Sequence, residues 1–337
     1  MILSTKSTLV TCAIVVFASS AQAAAAYALA DNYNHTNFFS AFEFFEDEDP
    51  TQGFVNYVDA ETASREGLAG YTNGGIYLGT DYTNKTTTGR HSVRLTSKKT
   101  WTQGLFVADI AHMPAGPTDA GSCGIWPAYW TLGPNWPNGG EIDILEGVNE
   151  QDTNAVTLHT AEGCTITNTG SIASTKLGNG DCYGNIGCKQ TTTGENNYGA
   201  RFNKAQGGIY VIEWADDHIS AWFFSRSAEI PPQLMTTGSG TGGNGTTAAP
   251  TTIDTASFGQ PLAKFVGGPG CSISEHFKEH AIVINTSFCG QWAGKVWSDS
   301  ETCSALGDSC DAYVGENPEA FSDAYWLFNS IRVYQQA

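Results

Sequence analysis

The sequence predicts an all-β fold, a sandwich or jelly roll, and three observations carry that prediction. Short runs of β-branched or alternating apolar residues recur along the chain, bounded by clusters of Gly, Asn, Asp, Pro and Ser. Helical periodicity never extends beyond a turn or two. The composition, with 38 Gly, 12% aromatic and only 15% charged residues, is typical of a turn-rich β protein. Many short strands without intervening helices indicate packed sheets.

Ten segments have the strand pattern. They are 75–78, 92–96, 104–110, 128–132, 141–145, 155–160, 208–214, 218–224, 281–286 and 330–334. Residues 236–252 are rich in Gly, Ser and Thr, and we interpret them as a surface loop rather than an interdomain linker, because too few strands follow for a second core. Residues 161–197 contain three cysteines and are predicted to form a disulfide-pinned loop.

The N-terminal residues 1–23 are predicted to be a signal peptide. Lys6 supplies the charged region, residues 9–17 the apolar core, and Ala21-Gln22-Ala23 a small-x-small cleavage site. The apolar run is too short to span a bilayer, and no other long apolar run follows. We therefore expect a secreted protein, without a membrane anchor, in which residues 24–337 form one domain.

Cysteine usage agrees with an oxidising compartment. Of nine cysteines, Cys12 lies in the predicted signal peptide, which leaves an even number of eight for disulfides. The pairing cannot be read from the sequence, although Cys182 and Cys188, or Cys303 and Cys310, are close enough to close small loops. Potential N-glycosylation sequons lie at Asn34, Asn84, Asn244 and Asn285.

The net charge restricts the partners. The chain has 34 acidic and 16 basic residues, a formal charge of −18, so its long-range field repels polyanions. Nucleic acid is excluded as a partner on this ground, and sulfated polysaccharides are disfavoured. A neutral substrate is favoured.

Three carboxylates on one strand are the most informative feature of the sequence. In a flat strand Glu141 and Asp143 share a face, whereas Glu146 points to the opposite face. A β-bulge at Ile144 and Leu145 would return Glu146 to the face of the other two. Since three acids on one face repel one another, acid/base chemistry explains them better than a solvated acidic strand does.

Two carboxyl groups that flank one bond are the usual equipment for cleaving a glycoside, one as nucleophile or base and the other as general acid. Asp143 lies between them and can share a proton with Glu141, while Glu146 must stay protonated to donate to the leaving oxygen. Four strand steps put the Cα atoms of Glu141 and Glu146 roughly 13 Å apart, whereas retaining enzymes hold the carboxyl groups about 5–5.5 Å apart. Sheet curvature and converging side chains are expected to close that gap.

The chain resembles glycoside hydrolase family 16, specifically its secreted fungal laminarinase-type members. The similar segments are GEIDILEGVN (140–149), GIWPAYW (124–130), WPNGG (136–140), TLHT (157–160), FCGQWAG (288–294) and GFVNYVD (53–59). The resemblance implies a concanavalin-like β-jelly roll with an open concave cleft, and retaining hydrolysis of β-1,3- or mixed β-1,3/1,4-glucan. It also implies that Glu141 is the nucleophile, Asp143 its assistant and Glu146 the acid/base.

A glucan cleft needs flat aromatic platforms edged with polar groups, because sugar rings present apolar C–H faces. Trp126 and Trp130 are four positions apart and so share a strand face, and Trp136 lies in a Pro- and Gly-rich loop expected at the cleft rim. Core packing is the alternative for each tryptophan. The remaining candidate binding residues are His159, Asn56, Trp292 and Trp297.

One alternative site, a zinc motif, can be rejected from the sequence, whereas two alternative functions stay open. The run His276 to His280 fits the H-x-x-E-H zinc motif, but it leaves no room for the long helix such a site needs and shows no third ligand. We therefore predict no metal and no cofactor. The leading function is a monomeric endo-β-glucanase; a cell-wall transglycosylase with the same residues and a non-hydrolytic glucan-binding protein on the same fold are the alternatives.

Overall fold

A computed structural model describes residues 26–116, 122–168, 172–235 and 248–337. The predicted signal peptide, Asn244 and most of the predicted 236–252 loop lie outside the described residues; Thr252 begins a strand. Within the described ranges, no helix is long and apolar enough to cross a membrane.

Nine of the described strands form a first sheet, sheet A; strands are numbered along the chain. Its main path is, in spatial order, β15 (Thr252–Asp254), β1 (Ala26–Tyr33), β18 (Trp326–Gln336), β8 (Gly104–His112), β13 (Gly208–Trp214), β14 (His218–Ser225) and β16 (Ala263–Val266). Beside it, β5 (Gly75–Leu78) pairs with β18 and with β4 (Ala69–Thr72). All pairings in this sheet are antiparallel.

Seven further strands form sheet B, which carries the three acids. Its order is β12 (Cys188–Thr191), β11 (Ala155–His159), β10 (Glu141–Glu146), β9 (Ile125–Leu132), β17 (Ala281–Phe288), β7 (Arg94–Ser97) and β2 (Phe42–Phe44). A parallel pair, β3 (Val55–Tyr57) and β6 (Arg90–Ser92), stands apart from both sheets. All ten predicted strands are present, so the all-β prediction is confirmed.

The helices are short and lie in the connections. They are α1 (Phe38–Ala41), α2 (Ala60–Arg65), α3 (Gly199–Lys204), α4 (Ile273–His276), α5 (Glu301–Ser304) and α6 (Cys310–Glu316). Single 3₁₀ turns occupy Pro232–Leu234, Trp297–Asp299 and Pro318–Phe321, and a π-helical turn occupies Gly290–Gly294.

The main core lies between the two sheets. Tyr129 of sheet B packs against Phe328 of sheet A with ring centroids 5.7 Å apart, and Ile142 and Ile144 of β10 belong to the same buried cluster. Strand β13 is buried along its whole length, because a second cluster of apolar side chains covers the other face of sheet A. Sheet B, in contrast, buries one face and leaves the other for polar and aromatic side chains.

Four disulfides link the described cysteines. The pairs are Cys123–Cys303, Cys164–Cys271, Cys182–Cys188 and Cys289–Cys310. The small loop closed by Cys182 and Cys188 is confirmed, but the one suggested for Cys303 and Cys310 is wrong. Helices α5 and α6 carry these two cysteines separately to the end of sheet B, where each finds a partner near β9 or β17.

The sequon at Asn285 is also corrected. Asn285 is 8% exposed, and its side chain accepts a hydrogen bond from Trp130 Nε1 (2.8 Å) and donates one to the Tyr57 hydroxyl (3.1 Å). A glycan on this amide would break both of these hydrogen bonds. Asn285 is therefore a structural residue of the polar face.

Candidate active site

A β-bulge in β10 brings the three carboxylates to one face of sheet B. Asp143 pairs with Trp130 and Leu145 with Tyr129, so Ile144 is the extra residue, and Glu146 then faces Ala128. Residues paired across a strand share a face, and positions 128 and 130 are two apart on the regular strand β9. Glu146 and Asp143 therefore share one face, and the predicted bulge is confirmed.

The bulge leaves both Ile144 and Leu145 in the core, each fully buried. Its displaced backbone groups are satisfied by Asn154, which is itself 0% exposed. The Asn154 amide donates to the Ile144 carbonyl (2.7 Å) and accepts from the Glu146 N–H (3.0 Å). Asn154 thus fixes the backbone on both sides of Leu145, immediately before the Glu146 side chain. No signal for this role is visible in the sequence, because Asn154 lies in a loop rich in polar residues.

Glu141 and Asp143 form the centre of a row of polar side chains that runs from Trp136 to His159. Trp136 Nε1 donates to Glu141 Oε2 (2.5 Å), and the Glu141 and Asp143 carboxyl groups bring oxygen atoms within 4.8 Å of each other. His159 Nε2 forms an ion pair with Asp143 Oδ2 (3.1 Å), and the other ring nitrogen of His159 lies 2.7 Å from the Gly184 carbonyl. Since a carbonyl only accepts, Nδ1 carries a proton, and the ring is oriented from both ends.

Glu146 has a separate set of neighbours. The Trp126 indole donates to Glu146 Oε1 (2.8 Å), and the Trp292 ring meets Trp126 edge-on with centroids 5.7 Å apart. Both tryptophans are half-buried. Glu146 is thus held by one tryptophan and Glu141 by another.

A family model of the XgeA-like catalytic GH16 domain matches residues 42–334. The chain belongs to the GH16 family. It is 42% identical over 323 residues to an endo-1,3(4)-beta-glucanase of Arthroderma benhamiae, covering 93% of this chain and 65% of the relative. It is also 40% identical over 337 residues to the endo-1,3(4)-beta-glucanase xgeA of Emericella nidulans, covering 95% of this chain and 49% of that protein. The chain thus spans about half to two thirds of the length of these curated relatives.

Two solved GH16 structures are similar over their whole length. Laminarinase 16A from Phanerochaete chrysosporium, with β-glucans in its donor and acceptor sites, has 39% identity and a TM-score of 0.82, covering 92% of this chain and 100% of that one. An elongating GH family 16 β-1,3-glucosyltransferase has 39% identity and a TM-score of 0.78, with the same coverage. This GH16 chain shares their jelly-roll fold.

The electrostatics of this GH16 site favour protonated carboxyls. Burial, followed by the charge of Asp143, raises the pKa of Glu141 to about 8. Burial also raises the pKa of Glu146 to about 7, against the hydrogen bond from Trp126, which lowers it. Burial raises the pKa of Asp143, and the Glu146 charge adds to the rise. Because these groups lie together, the site loses its protons in steps that belong to the cluster.

His159 supplies the compensating charge. Burial alone would lower its pKa, but the contacts with Asp143 and the charge of Glu141 outweigh burial and raise the pKa to about 10. The imidazole is therefore protonated at neutral pH beside Asp143. This cation contacts Asp143 directly, and its charge lowers the pKa of Glu141 and that of Glu146 as well.

The remaining predicted binding residues fall into two groups. Trp130 is half-buried on the acid-bearing face, where its ring lies 5.1 Å from the Arg94 guanidinium. Asn56 is half-buried in β3 and donates to the Gly89 carbonyl (3.1 Å). Trp297 is 5% exposed in an apolar cluster, and its indole donates to the Gly307 carbonyl. This burial corrects the expectation of a substrate contact at Trp297, because its ring has no open face.

Donor atoms that could ligate a metal come together at four places among the described residues. Three of these groups contain a disulfide, whose sulfur atoms are already bonded to each other. The fourth is Glu141, Asp143 and His159, whose donor atoms lie within 4.8 Å of one another. The two histidines of the zinc-like motif do not converge, since His276 contacts the carbonyls of Ser272 and Glu162 while His280 contacts Thr131 and Gly139.

Proposed function

We propose that this protein is a secreted endo-β-glucanase that hydrolyses β-1,3- or mixed β-1,3/1,4-glucan with retention of configuration. The bulged strand carries the proposal, because it presents two glutamates with separate tryptophan donors and a buried aspartate between them on one sheet face. Sequence similarity to named endo-1,3(4)-beta-glucanases along nearly the whole chain supports the substrate class. The substrate would lie across the polar face of sheet B, in a cleft edged by Trp126, Trp130, Trp136 and Trp292.

In the first step, the Glu141 carboxylate attacks the anomeric carbon and Glu146 protonates the departing glycosidic oxygen. The rise in the pKa of Glu141 to about 8 comes in part from the negative charge of Asp143, so it applies to the second proton that this pair loses. The pair loses its first proton more easily, and the single negative charge that results can reside on Glu141, where the protonated His159 stabilises it. The pKa of Glu146, raised to about 7, keeps this carboxyl protonated in mildly acidic solution. In the second step, Glu146 acts as base toward water, which releases the sugar from Glu141.

The working context of the enzyme is part of the same proposal. We expect residues 1–23 to direct secretion, residues 24–337 to act as one monomeric domain, and no metal or cofactor to be required. Four disulfides agree with an oxidising compartment, and the formal charge of −18 agrees with a neutral polysaccharide.

Digestion of laminarin, lichenan and xyloglucan by the wild type and by Glu141→Gln tests the proposal. Product sizes are resolved for both proteins. The wild type is expected to release oligomers from laminarin, and the mutant is expected to release none, because Gln is not a nucleophile. Glycan cleavage retained by the mutant contradicts the assignment of Glu141.

Transglycosylation is a second candidate, favoured by the similarity to an elongating β-1,3-glucosyltransferase. The same glycosyl-enzyme would transfer to an acceptor sugar instead of water. Incubation with a single laminari-oligosaccharide separates the two activities. Products longer than the donor indicate transfer, whereas only shorter products indicate hydrolysis. A non-hydrolytic glucan-binding role is disfavoured, since all three carboxylates are present.

A further inference from the structure

His280, the second histidine of the zinc-like motif, lies next to the active site and has no role in the reaction described above. It is 0% exposed, and its ring packs against Trp214 with centroids 4.7 Å apart. Nε2 lies 2.8 Å from the Gly139 carbonyl, and Nδ1 lies 2.8 Å from the Thr131 hydroxyl. Because a carbonyl only accepts, Nε2 carries the proton, and in the neutral ring Nδ1 accepts from Thr131.

The neutral state of His280 is supported by its environment. Burial lowers the pKa of the ring to about 4, although the bond to Gly139 opposes this effect. The neighbouring rings, Trp214 and Phe277, are apolar faces that offer no compensating charge. His280 therefore acts as a fixed donor across the working range of a mildly acidic or neutral enzyme.

The acceptor of this donor, Gly139, belongs to the loop that carries Trp136. The Gly139 carbonyl receives a second hydrogen bond from the Lys278 N–H (3.0 Å). The loop closes on itself where the Gly133 N–H donates to the Gly140 carbonyl (2.9 Å). Gly140 has a φ of +81°, and a Cβ there would come within 2.5 Å of the His276 carbonyl. The base of the loop is thus packed tightly against residues 276–280.

Trp136 itself is held much less firmly than the base of its loop. Its side chain is 44% exposed, yet its indole must stay in place to donate to Glu141 Oε2. Packing alone does not fix a side chain with this exposure, so its position depends on the loop backbone. His280 supplies the side-chain anchor of that backbone.

We propose that His280 is a positioning residue that anchors the Trp136 loop through Gly139 and thereby keeps the Trp136 indole on the Glu141 carboxylate. This inference rests on the proposed function of Glu141 as nucleophile. The groups that face Glu141 are Asp143 and His159 on neighbouring positions of sheet B, with Glu146 farther along the same strand. Among the neighbours of Glu141, Trp136 is the one that belongs to the loop anchored at Gly139.

The expected effect concerns the ionisation of Glu141. The Trp136 hydrogen bond lowers the pKa of Glu141, so a displaced indole lets that pKa rise. The acidic limb of the profile, where kcat/KM falls as the pH decreases and Glu141 becomes protonated, should then move to higher pH. A weakened hydrogen bond to a charged group corresponds to about 0.5–1 pH unit, or about 3- to 10-fold lower activity on the acidic side.

A double-mutant cycle with His280→Leu and Trp136→Phe tests this coupling. Both single variants are expected to move the acidic limb upward, and the double variant is expected to move it no further than Trp136→Phe alone, because both act through one contact. His280→Gln, which keeps an N–H donor, should restore part of the wild-type limb. His112→Leu is the matched control: His112 also contacts a backbone carbonyl, that of Tyr325 (2.9 Å), and stacks on an aromatic ring, but it lies on sheet A.

Additive shifts in the double variant, or an unmoved limb in His280→Leu, would overturn the inference. If His280→Leu does not fold, His280→Phe takes its place, since it keeps an aromatic ring against Trp214 and removes the donor to the Gly139 carbonyl. An unmoved limb in His280→Phe counts equally against the coupling. A wild type without glucan hydrolysis refutes the proposed function instead, so the two failures are distinguishable.

Discussion

The hydrogen bond from Trp126 to Glu146 should help to set the pH above which the enzyme loses activity. Replacement of Trp126 by Phe keeps a flat ring and removes the indole N–H that donates to Glu146 Oε1 at 2.8 Å. This bond lowers the pKa of Glu146, whereas burial raises it, to a net value of about 7. The variant should therefore raise the pKa of the proposed acid.

The size of the shift follows from the strength of such bonds. A hydrogen bond to a charged group contributes about 1.5–3 kcal/mol, and 1.36 kcal/mol corresponds to one pKa unit. Since Glu146 is only half-buried, we take the lower end, about one unit, which moves the basic limb from about 7 to about 8. At pH 8 the protonated fraction of Glu146 then rises from about one tenth to about one half, a gain of about fivefold relative to the plateau.

The assay is the pH dependence of kcat/KM on a laminari-oligosaccharide, which reports ionisations of the free enzyme. Trp130→Phe is the matched control, because Trp130 lies on the same strand and face but donates to Asn285. Any general effect of a smaller ring on substrate binding appears in both variants. A basic limb that stays in place in Trp126→Phe, or that moves equally in Trp130→Phe, would refute the reasoning.

Two further predictions follow from the surroundings of Glu146. Its pKa is raised from 4.5 to about 7, so the folded protein loses stability as the pH rises through that window. At pH 8, Glu146→Gln should therefore have a larger free energy of unfolding in urea titrations than the wild type, by at most roughly 3 kcal/mol. At pH 4 the two proteins should be equally stable. If the difference in unfolding free energy between variant and wild type is the same at pH 8 and pH 4, the raised pKa is contradicted. Asn154→Leu removes the partners of the Ile144 carbonyl and the Glu146 N–H, and should cost about 1–3 kcal/mol of unfolding free energy for each unpaired group while lowering kcat. A kcat equal to that of the wild type would show that the bulge does not depend on Asn154.

The strands and the bulge could be predicted because they are local. Alternation of side chains fixes which face a residue takes, and the parity of Glu141, Asp143 and Glu146 requires one extra residue for the three to meet. The buried pair Ile144 and Leu145 satisfies the same requirement from the core side. The alternation of side chains and the requirement that the three carboxylates converge therefore both predict a bulge at this position.

The missed features depend on contacts between distant segments. Asn154 and His280 hold backbone carbonyls of the site. Nothing in the neighbourhood of Asn154 distinguishes it from an ordinary polar residue, and His280 stood out only as part of a zinc-like motif, which does not indicate a contact with Gly139. Trp297 follows the aromatic pattern of the cleft, yet the disulfides and helices near the end of the chain bury it. The pairing of Cys303 likewise depends on where α5 packs, so sequence proximity to Cys310 misled.

The stereochemistry of the first product tests the central claim most directly, that Glu141 and Glu146 act as nucleophile and acid/base of a retaining glucanase. Laminarin is digested in the NMR tube, and the anomeric proton signals are recorded before mutarotation equilibrates them. If the enzyme retains configuration, the β-anomer of the new reducing end appears first and the α-anomer grows later. An α-anomer in the earliest spectra would contradict retention, since inversion requires water, and not Glu141, to attack the sugar.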